Sequence, residues 1–225
     1  MQILGIDTST QSGSVAILKD DELLAETTLH RNKTHSERLL PSIKYILAEC
    51  GLNLDDLDAL AVTTGPGSFT GLRIGLSTLK GLGWALEKPV LGISTLHALA
   101  CNIPYTTQKI CPVLDARKSE VYTALFSSKD GEVIRETEDR VIDPGELMKE
   151  LKGEIIFLGD GITRYGSAIK KNGNQNSPLL FAREDLWNIR ASNICRLGKI
   201  AFKKGKSKDA GEINLNYIRP SEAEL

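Results

Sequence analysis

Apolar and polar residues alternate from Gln2 to Asp7, and the alternation stops at Thr8-Ser9-Thr10. A period of two marks a strand with one buried face. A second such run covers residues 13–19, Asp20-Asp21 supplies a turn, and a third run, rich in Leu and Thr, covers 23–29. Together they predict an antiparallel meander. The period then lengthens. Thr34-His35-Ser36-Glu37 has capping-box spacing, and Leu39, Leu40, Ile43, Ile46 and Leu47 recur at helical intervals before Gly51, placed as a C-cap. This predicts a helix over 34–50, with a kink expected at Pro41. A short apolar strand at 59–63 runs into Gly65-Pro66-Gly67-Ser68-Phe69-Thr70-Gly71. A helix follows to about Leu86, and 90–93 reads as a buried strand.

The second half opens in the same way. Residues 110–115 form a strand ending in aspartate, 120–126 its hairpin partner, Lys129-Asp130-Gly131 a turn and 133–136 a third strand. A short helix over 144–151 has Pro144 in its first turn. A strand at 155–158, Gly159-Asp160-Gly161 and a helix over 163–171 come next, and a last helix covers about 191–204. Each half therefore reads strand, strand, strand, helix, strand, and each meander opens on a strand ending in aspartate, Asp7 or Asp115. The pattern predicts an α/β protein of two lobes with a cleft between them. The boundary is expected in the polar link 101–109, giving an N-terminal lobe over 1–104 and a C-terminal lobe over 105–225 whose final segment packs back on the first. Residues 172–178, Asn-Gly-Asn-Gln-Asn-Ser-Pro, read as a flexible loop.

Composition narrows the function classes. With 225 residues, 41% hydrophobic and 25% charged, the chain is long enough for a sizeable core. It contains no run of about 18 apolar residues, which argues against a membrane span, and its first ten residues lack the basic and apolar regions of a signal peptide. A cytoplasmic, membrane-free location is expected. The net charge of −1 lacks the basic excess of a protein that grips nucleic acid alone. If RNA is involved, another subunit carries most of the binding. One local cluster, Lys199, Lys203, Lys204, Lys206 and Lys208, reads as the solvated end of a helix. Cys50, Cys101, Cys111 and Cys195 are far apart with no C-x-x-C pair, and are expected as small buried hydrophobes.

The candidate chemistry is sparse. Asp7, Thr8 and Ser9 follow a strand. There a carboxylate could hold a metal–phosphate and the hydroxyls phosphate oxygens, although a side-chain cap of the turn explains Asp7 better. The stretch Gly65, Gly67 and Ser68 joins a buried strand to a helix N-terminus, which favours anions. It lacks the G-K-[ST] ending of a P-loop, and spacing supports phosphate binding and a tight packing turn equally. Gly159, Asp160 and Gly161 could approach an adenine or ribose, although a simple βα turn explains them better, and Asp115 joins them as a possible nucleotide-binding residue. Gly71, Gly75, Gly81 and Gly83 lie within one predicted helix, where each glycine costs about 1 kcal/mol against Ala. Close approach of another helix, from this chain or a partner, would explain them. Leu72, Leu76, Leu79 and Leu86 would then form a contact stripe edged by Arg73 and Lys80; it could also face the lobe's own sheet, and an oligomer interface is the slightly favoured reading. His30, His35 and His97 have no metal-ligand spacing, and no G-x-S-x-G elbow occurs. No catalytic residue and no metal ligand is assigned.

Several stretches together resemble the TsaB (YeaZ) family, paralogous to TsaD. They are the Ile3–Thr10 opening, the glycine motif continued by Leu72-Arg73-Ile74-Gly75, Gly92-Ile93-Ser94-Thr95-Leu96, Asp115-Ala116-Arg117, and Asn216-Tyr217-Ile218-Arg219-Pro220 with Glu222. The likeness covers nearly the whole chain. It implies the two-lobed actin/Hsp70/sugar-kinase (ASKHA, RNase H-like) fold. It also implies a non-catalytic subunit that binds TsaD and, with the ATPase TsaE, supports formation of N6-threonylcarbamoyladenosine at position 37 of tRNAs reading codons that start with A. TsaD carries two metal-binding histidines on the helix after the Gly92-like strand; Thr95 and Leu99 stand at those places here. The resemblance places the partner interface on the N-terminal lobe, on Leu39, Ile43 and Ile46 of one helix and Leu72, Arg73, Gly75, Leu76, Leu79 and Lys80 of the next. It further implies a homodimer when the chain is alone, contact with tRNA only through the complex, and no cofactor beyond ATP or ADP at the partner junction. The competing readings are an ASKHA-type nucleotide-binding kinase or ATPase, resting on Asp7, the 65–71 loop, Asp115 and Gly159-Asp160-Gly161 lining one cleft, and a protease acting on TsaD.

Overall fold

The computed structural model describes residues 1–30, 34–173 and 179–219. The first elements are β1 (Gln2–Asp7), β2 (Ser12–Lys19), β3 (Glu22–His30), α1 (His35–Glu49), β4 (Ala59–Gly65), α2 (Phe69–Leu86), β5 (Val90–Ser94) and α3 (Thr95–Ala100). Then come β6 (Lys109–Asp115), β7 (Val121–Thr123), β8 (Phe126–Lys129), β9 (Glu132–Arg135), β10 (Arg140–Ile142) and α4 (Pro144–Glu150). The chain continues with β11 (Ile155–Leu158), α5 (Gly161–Asn172), β12 (Leu179–Phe181) and α6 (Ala191–Lys203). Two compact units result: Met1–Ala98 with Ile189–Tyr217, and Leu99–Asn188 with Ile218 and Arg219. The division falls a few residues before the polar link at 101–109, and α6 with the tract after it belongs to the first unit.

The first unit is a five-stranded sheet in the order β3-β2-β1-β4-β5. β1 runs antiparallel to β2 and parallel to β4, and β4 runs parallel to β5. Period-two alternation sends Leu4, Ile6, Val15 and Ile17 to one face, where they join Leu39, Ile43 and Ile46 of α1 and Leu76 and Leu79 of α2 in a closed core. The other face takes α6. A Cβ on Gly5 would lie 2.6 Å from Cys195 Sγ, and one on Gly198 would lie 3.0 Å from Ala61 Cβ. Small residues on both partners thus let the helix lie flat on the strands. α1 starts with the Thr34 N–H and hydroxyl donating to the Glu37 carboxylate at 2.9 and 2.6 Å, and it continues through Pro41.

The second unit repeats this order as β10-β7-β6-β11-β12, with the β8–β9 hairpin attached to β6. The expected third strand at 133–136 is therefore not the counterpart of β3. It is the returning arm of that extra hairpin, and the short β10 takes the third place. The expected strand over 120–126 is also interrupted. Val113 pairs with Thr123 and Ile110 with Phe126 in one continuous register, but Pro112, opposite Ala124, has no N–H to give the ladder. Leu125 turns instead to the Thr137 hydroxyl, which accepts its N–H at 2.8 Å. Residues 174–178 of the expected 172–178 loop, and Pro220 and Glu222 of the C-terminal motif, lie outside the described residues.

Candidate functional site

Asp7 ends β1 fully buried, at 0% exposure. Its Oδ1 accepts three hydrogen bonds: from the Ser9 N–H at 3.1 Å, the Ser9 hydroxyl at 2.6 Å and the Thr63 hydroxyl at 2.7 Å. Among the described residues, its Oδ2 has no hydrogen-bond donor. Burial pushes the carboxyl above the ordinary carboxylate value, and the Ser9 and Thr63 hydrogen bonds offset part of that rise. Asp7, Thr8, Ser14, His35 and Arg38 line a small cavity with room for about 10 Å³ of water, roughly one molecule. Beside Asp7, the Thr8 hydroxyl donates to Gly71 O at 2.8 Å, and the Ser68 N–H donates to Ser9 O at 2.7 Å.

The two proposed phosphate-binding stretches of this unit, Asp7–Ser9 and Gly65–Ser68, are thus bonded to each other. A Cβ on Gly67 would sit 2.5 Å from Ser9 O. Gly65, at φ +122, would place one 2.6 Å from Asn216 O, whose own residue donates its N–H to Thr64 O at 2.8 Å. Packing accounts for these glycines: the loop is pressed between the β1 end and the C-terminal tract. Ser68 caps α2, its hydroxyl oxygen accepting from the Gly71 N–H at 3.3 Å. Tyr217 stacks near Phe69, with ring centroids 4.9 Å apart, and its hydroxyl accepts from Arg73 Nε at 3.1 Å.

The second group gathers in the other unit. Asp115 Oδ1 accepts from the Arg117 N–H at 2.7 Å and the Tyr165 hydroxyl at 2.9 Å, and Arg164 stands 3.4 Å from Oδ2. Asp160 Oδ1 accepts the Asp115 N–H at 3.3 Å. Gly159, at φ +116, would direct a Cβ to 2.4 Å from Val113 O, and Gly161 one to 2.9 Å from the same oxygen. The structure therefore brings Asp115, Gly159, Asp160 and Gly161 together as a βα turn against β6. Sequence reasoning missed the next feature: Arg117, Lys118 and Ser119 all have positive φ, a left-handed turn built without glycine.

The expected partner stripe is corrected. Leu39, Ile43, Ile46, Leu72, Leu76 and Leu79 are buried inside the unit, because α1 and α2 turn one apolar face onto their own sheet. Gly71 and Gly75 are small because Thr8 lies beneath them: a Cβ would meet Thr8 O at 2.0 Å and Thr8 Oγ1 at 2.3 Å. A Cβ on Gly83 would meet Val90 at 2.8 Å, whereas Gly81 has nothing within 4 Å. Arg73 is exposed, and Lys80 is half-buried with Nζ donating to Gly211 O at 3.3 Å. The apolar side chains that do face outward on these helices are Leu40 at 55%, Tyr45 at 61% and Trp84 at 66% exposure. Leu40 was visible in the sequence only as part of a helical run, and Tyr45 and Trp84 as large apolar residues off the stripe.

Of the four cysteines expected to be buried, Cys111 and Cys195 are inside, whereas Cys50 and Cys101 are only partly covered; the would-be metal positions are also inside. Burial pushes the Cys111 thiol up to about 12 and the Cys195 thiol higher still. Thr95 and Leu99 are fully buried.

Comparison with known proteins decides the family. The model described as TsaD, tRNA N6-adenosine threonylcarbamoyltransferase, matches residues 22–219. The tRNA threonylcarbamoyladenosine biosynthesis protein TsaB of Bacillus subtilis is 32% identical over 230 residues, covering 100% of this chain and 96% of the relative. The chain belongs to the TsaB family. The Escherichia coli TsaB is 33% identical, covering 99% and 96%. YeaZ from Pseudomonas aeruginosa superposes with a TM-score of 0.83 at 27% identity, covering 96% of this chain and 99% of that one. The ROK hexokinase of Thermus thermophilus, at 12% identity and a TM-score of 0.51 over 91% of this chain, shares the fold alone. The TsaB family is thus built on the ASKHA fold, and its named members serve tRNA threonylcarbamoyladenosine biosynthesis. Among the described residues no helix is long and apolar enough to cross a membrane.

Proposed function

We propose that this chain is a non-catalytic subunit that binds a TsaD-family transferase and, with a TsaE-type ATPase, supports threonylcarbamoylation of tRNA in the cytoplasm. The observation that carries the reading is a contrast within the first unit. The carboxylate, hydroxyls and glycines singled out as candidates for chemistry are buried and bonded to one another, while α1 and α2 turn Leu40, Tyr45 and Trp84 to solvent. Large exposed aromatic side chains are the residues that anchor protein interfaces. In this reading the same helices pair two copies of the chain when the transferase is missing, and any ATP or ADP sits at the junction with the partner.

The test is the molar mass, by light scattering, of this chain mixed with a TsaD-family protein from the same source. A stable 1:1 species is expected, weakened at least tenfold by Trp84→Asp or Tyr45→Asp, with the melting temperature of the free chain unchanged. A chain that stays alone or self-paired would overturn the reading. The kinase or ATPase alternative requires Asp7 to reach a nucleotide, and predicts Mg-ATP binding by the isolated chain that Asp7→Ala abolishes. The protease alternative predicts cleavage of the TsaD-family protein on mixing.

A further inference from the structure

Residues 186–208 hold seven basic side chains and no acidic one. The whole chain has 28 basic and 29 acidic residues, so removing these seven leaves 21 bases against 29 acids elsewhere. Such asymmetry creates a local field that the net charge of −1 conceals. Lys203 and Lys204 close α6, and Lys206 and Lys208 lie on the tract after it; all four are exposed.

The backbone beneath them is held. The Gly205 N–H donates to Phe202 O at 2.9 Å and the Lys206 N–H to Ala201 O at 3.0 Å, with Gly205 at φ +67 ending the helix. Lys208 and Val90 exchange two backbone hydrogen bonds, each 3.0 Å. Of the acids close by, Asp20 pairs with the Met1 ammonium at 2.7 Å and Asp21 with Lys199 at 2.7 Å, and the exposed Asp209, which directly follows Lys208, offsets one of the charges. Among the described residues, none of the four lysines has an ion pair within 4.0 Å. The helix dipole accounts for cations in the last turn of α6. It does not account for Lys206 and Lys208, which lie beyond that turn, nor for crowding like charges on one short, well-held tract.

We propose that this lysine tract is a docking surface for the phosphate backbone of tRNA within the assembled complex. The inference rests on the functional reading above and adds a direct RNA contact by this subunit. Lysines are flexible point charges, suited to phosphate contacts that position a nucleic acid without reading its bases. Relatives named for tRNA modification favour RNA over an acidic protein surface.

The experiment measures tRNA binding by the complex of this chain with its TsaD-family partner, using fluorescence anisotropy over a potassium chloride series. The test variant is Lys203→Gln/Lys204→Gln/Lys206→Gln/Lys208→Gln. The control, Lys129→Gln/Lys149→Gln/Lys152→Gln/Lys171→Gln, removes the same charge from the other unit. The test variant is expected to bind about tenfold more weakly near ~100 mM salt, with a log–log salt slope smaller by about two to three; the control should keep the wild-type slope. Equal losses in both variants, or none in either, overturn the proposal. So does a test variant that keeps its melting temperature but no longer joins the partner, since the tract would then dock protein. If the wild-type chain forms no complex, the functional reading fails on its own, and the same titration on the chain alone decides the tract.

Discussion

Among the described residues, Asp7 accepts three hydrogen bonds through one oxygen and none through the other. Removing the side chain leaves three buried donors unpaired, so Asp7→Ala should destabilise the chain by roughly 2–4 kcal/mol in urea unfolding. Asp7→Asn keeps an acceptor and buries no charge, and should cost clearly less. His35 makes a separate pH prediction. Its Nε2 lies 2.7 Å from Thr10 O, an acceptor only, and its Nδ1 3.0 Å from an Arg38 nitrogen, a donor only. The ring is therefore neutral, with the proton on Nε2. Burial, and after it the Arg38 charge, hold its folded pKa below the ordinary 6.5, against the opposing Thr10 hydrogen bond. The unfolded chain then takes up the proton first, so this contribution to stability is present above about pH 6.5 and lost as pH falls through the folded value. Unfolding free energy should decline from pH 7.5 to 5.5 in the wild type and decline less in His35→Gln. At this scale the sequence named Asp7 and offered the turn cap as its role, but left His35 as an isolated histidine. Arg38 lies one helical turn on, but the Thr10 carbonyl comes from 25 positions back along the chain, which no local spacing shows.

At the scale of elements, α2 shows what periodicity reveals and what it cannot. The stripe of Leu72, Leu76 and Leu79 identified one apolar face, and the helix forms over Phe69–Leu86 as its spacing required. The stripe said nothing about what covers that face, because a sheet and a partner protein present the same kind of surface to it. The glycines divide the question. Gly75→Ala would drive a methyl to 2.3 Å from Thr8 Oγ1 and should cost about 1–3 kcal/mol by overpacking. Gly81→Ala meets nothing within 4 Å among the described residues and should stabilise the chain by up to about 1 kcal/mol. Thermal unfolding of the two variants checks both signs; a stabilising Gly75→Ala would mean that α2 does not lie so close to Thr8. In the second unit, a strand of the expected kind at Glu132–Arg135 proved to belong to an extra hairpin. Strand propensity marks a segment as extended without choosing its neighbour.

At the scale of the molecule, two sheets with the same strand order, each beginning on a strand that ends in aspartate, reproduce the duplication read from the pattern. The α/β class, the meanders, the principal helices and the family motifs were legible in the sequence. They depend on local periods, caps and turn residues, which a chain expresses within a few residues of itself. Three outcomes were decided only by tertiary structure. The return of α6 to the first unit was foreseen only as a final segment packing back, and is fixed by small-residue contacts such as Gly5 with Cys195, 190 positions apart. The closure of the glycine loop on Ser9 gives its glycines the packing role that spacing had left level with phosphate binding. The outward faces of α1 and α2 fell to Leu40, Tyr45 and Trp84 rather than to the regular stripe. Each depends on which surfaces meet after the chain has folded, and burial is a property of that meeting, which no single residue or local spacing carries.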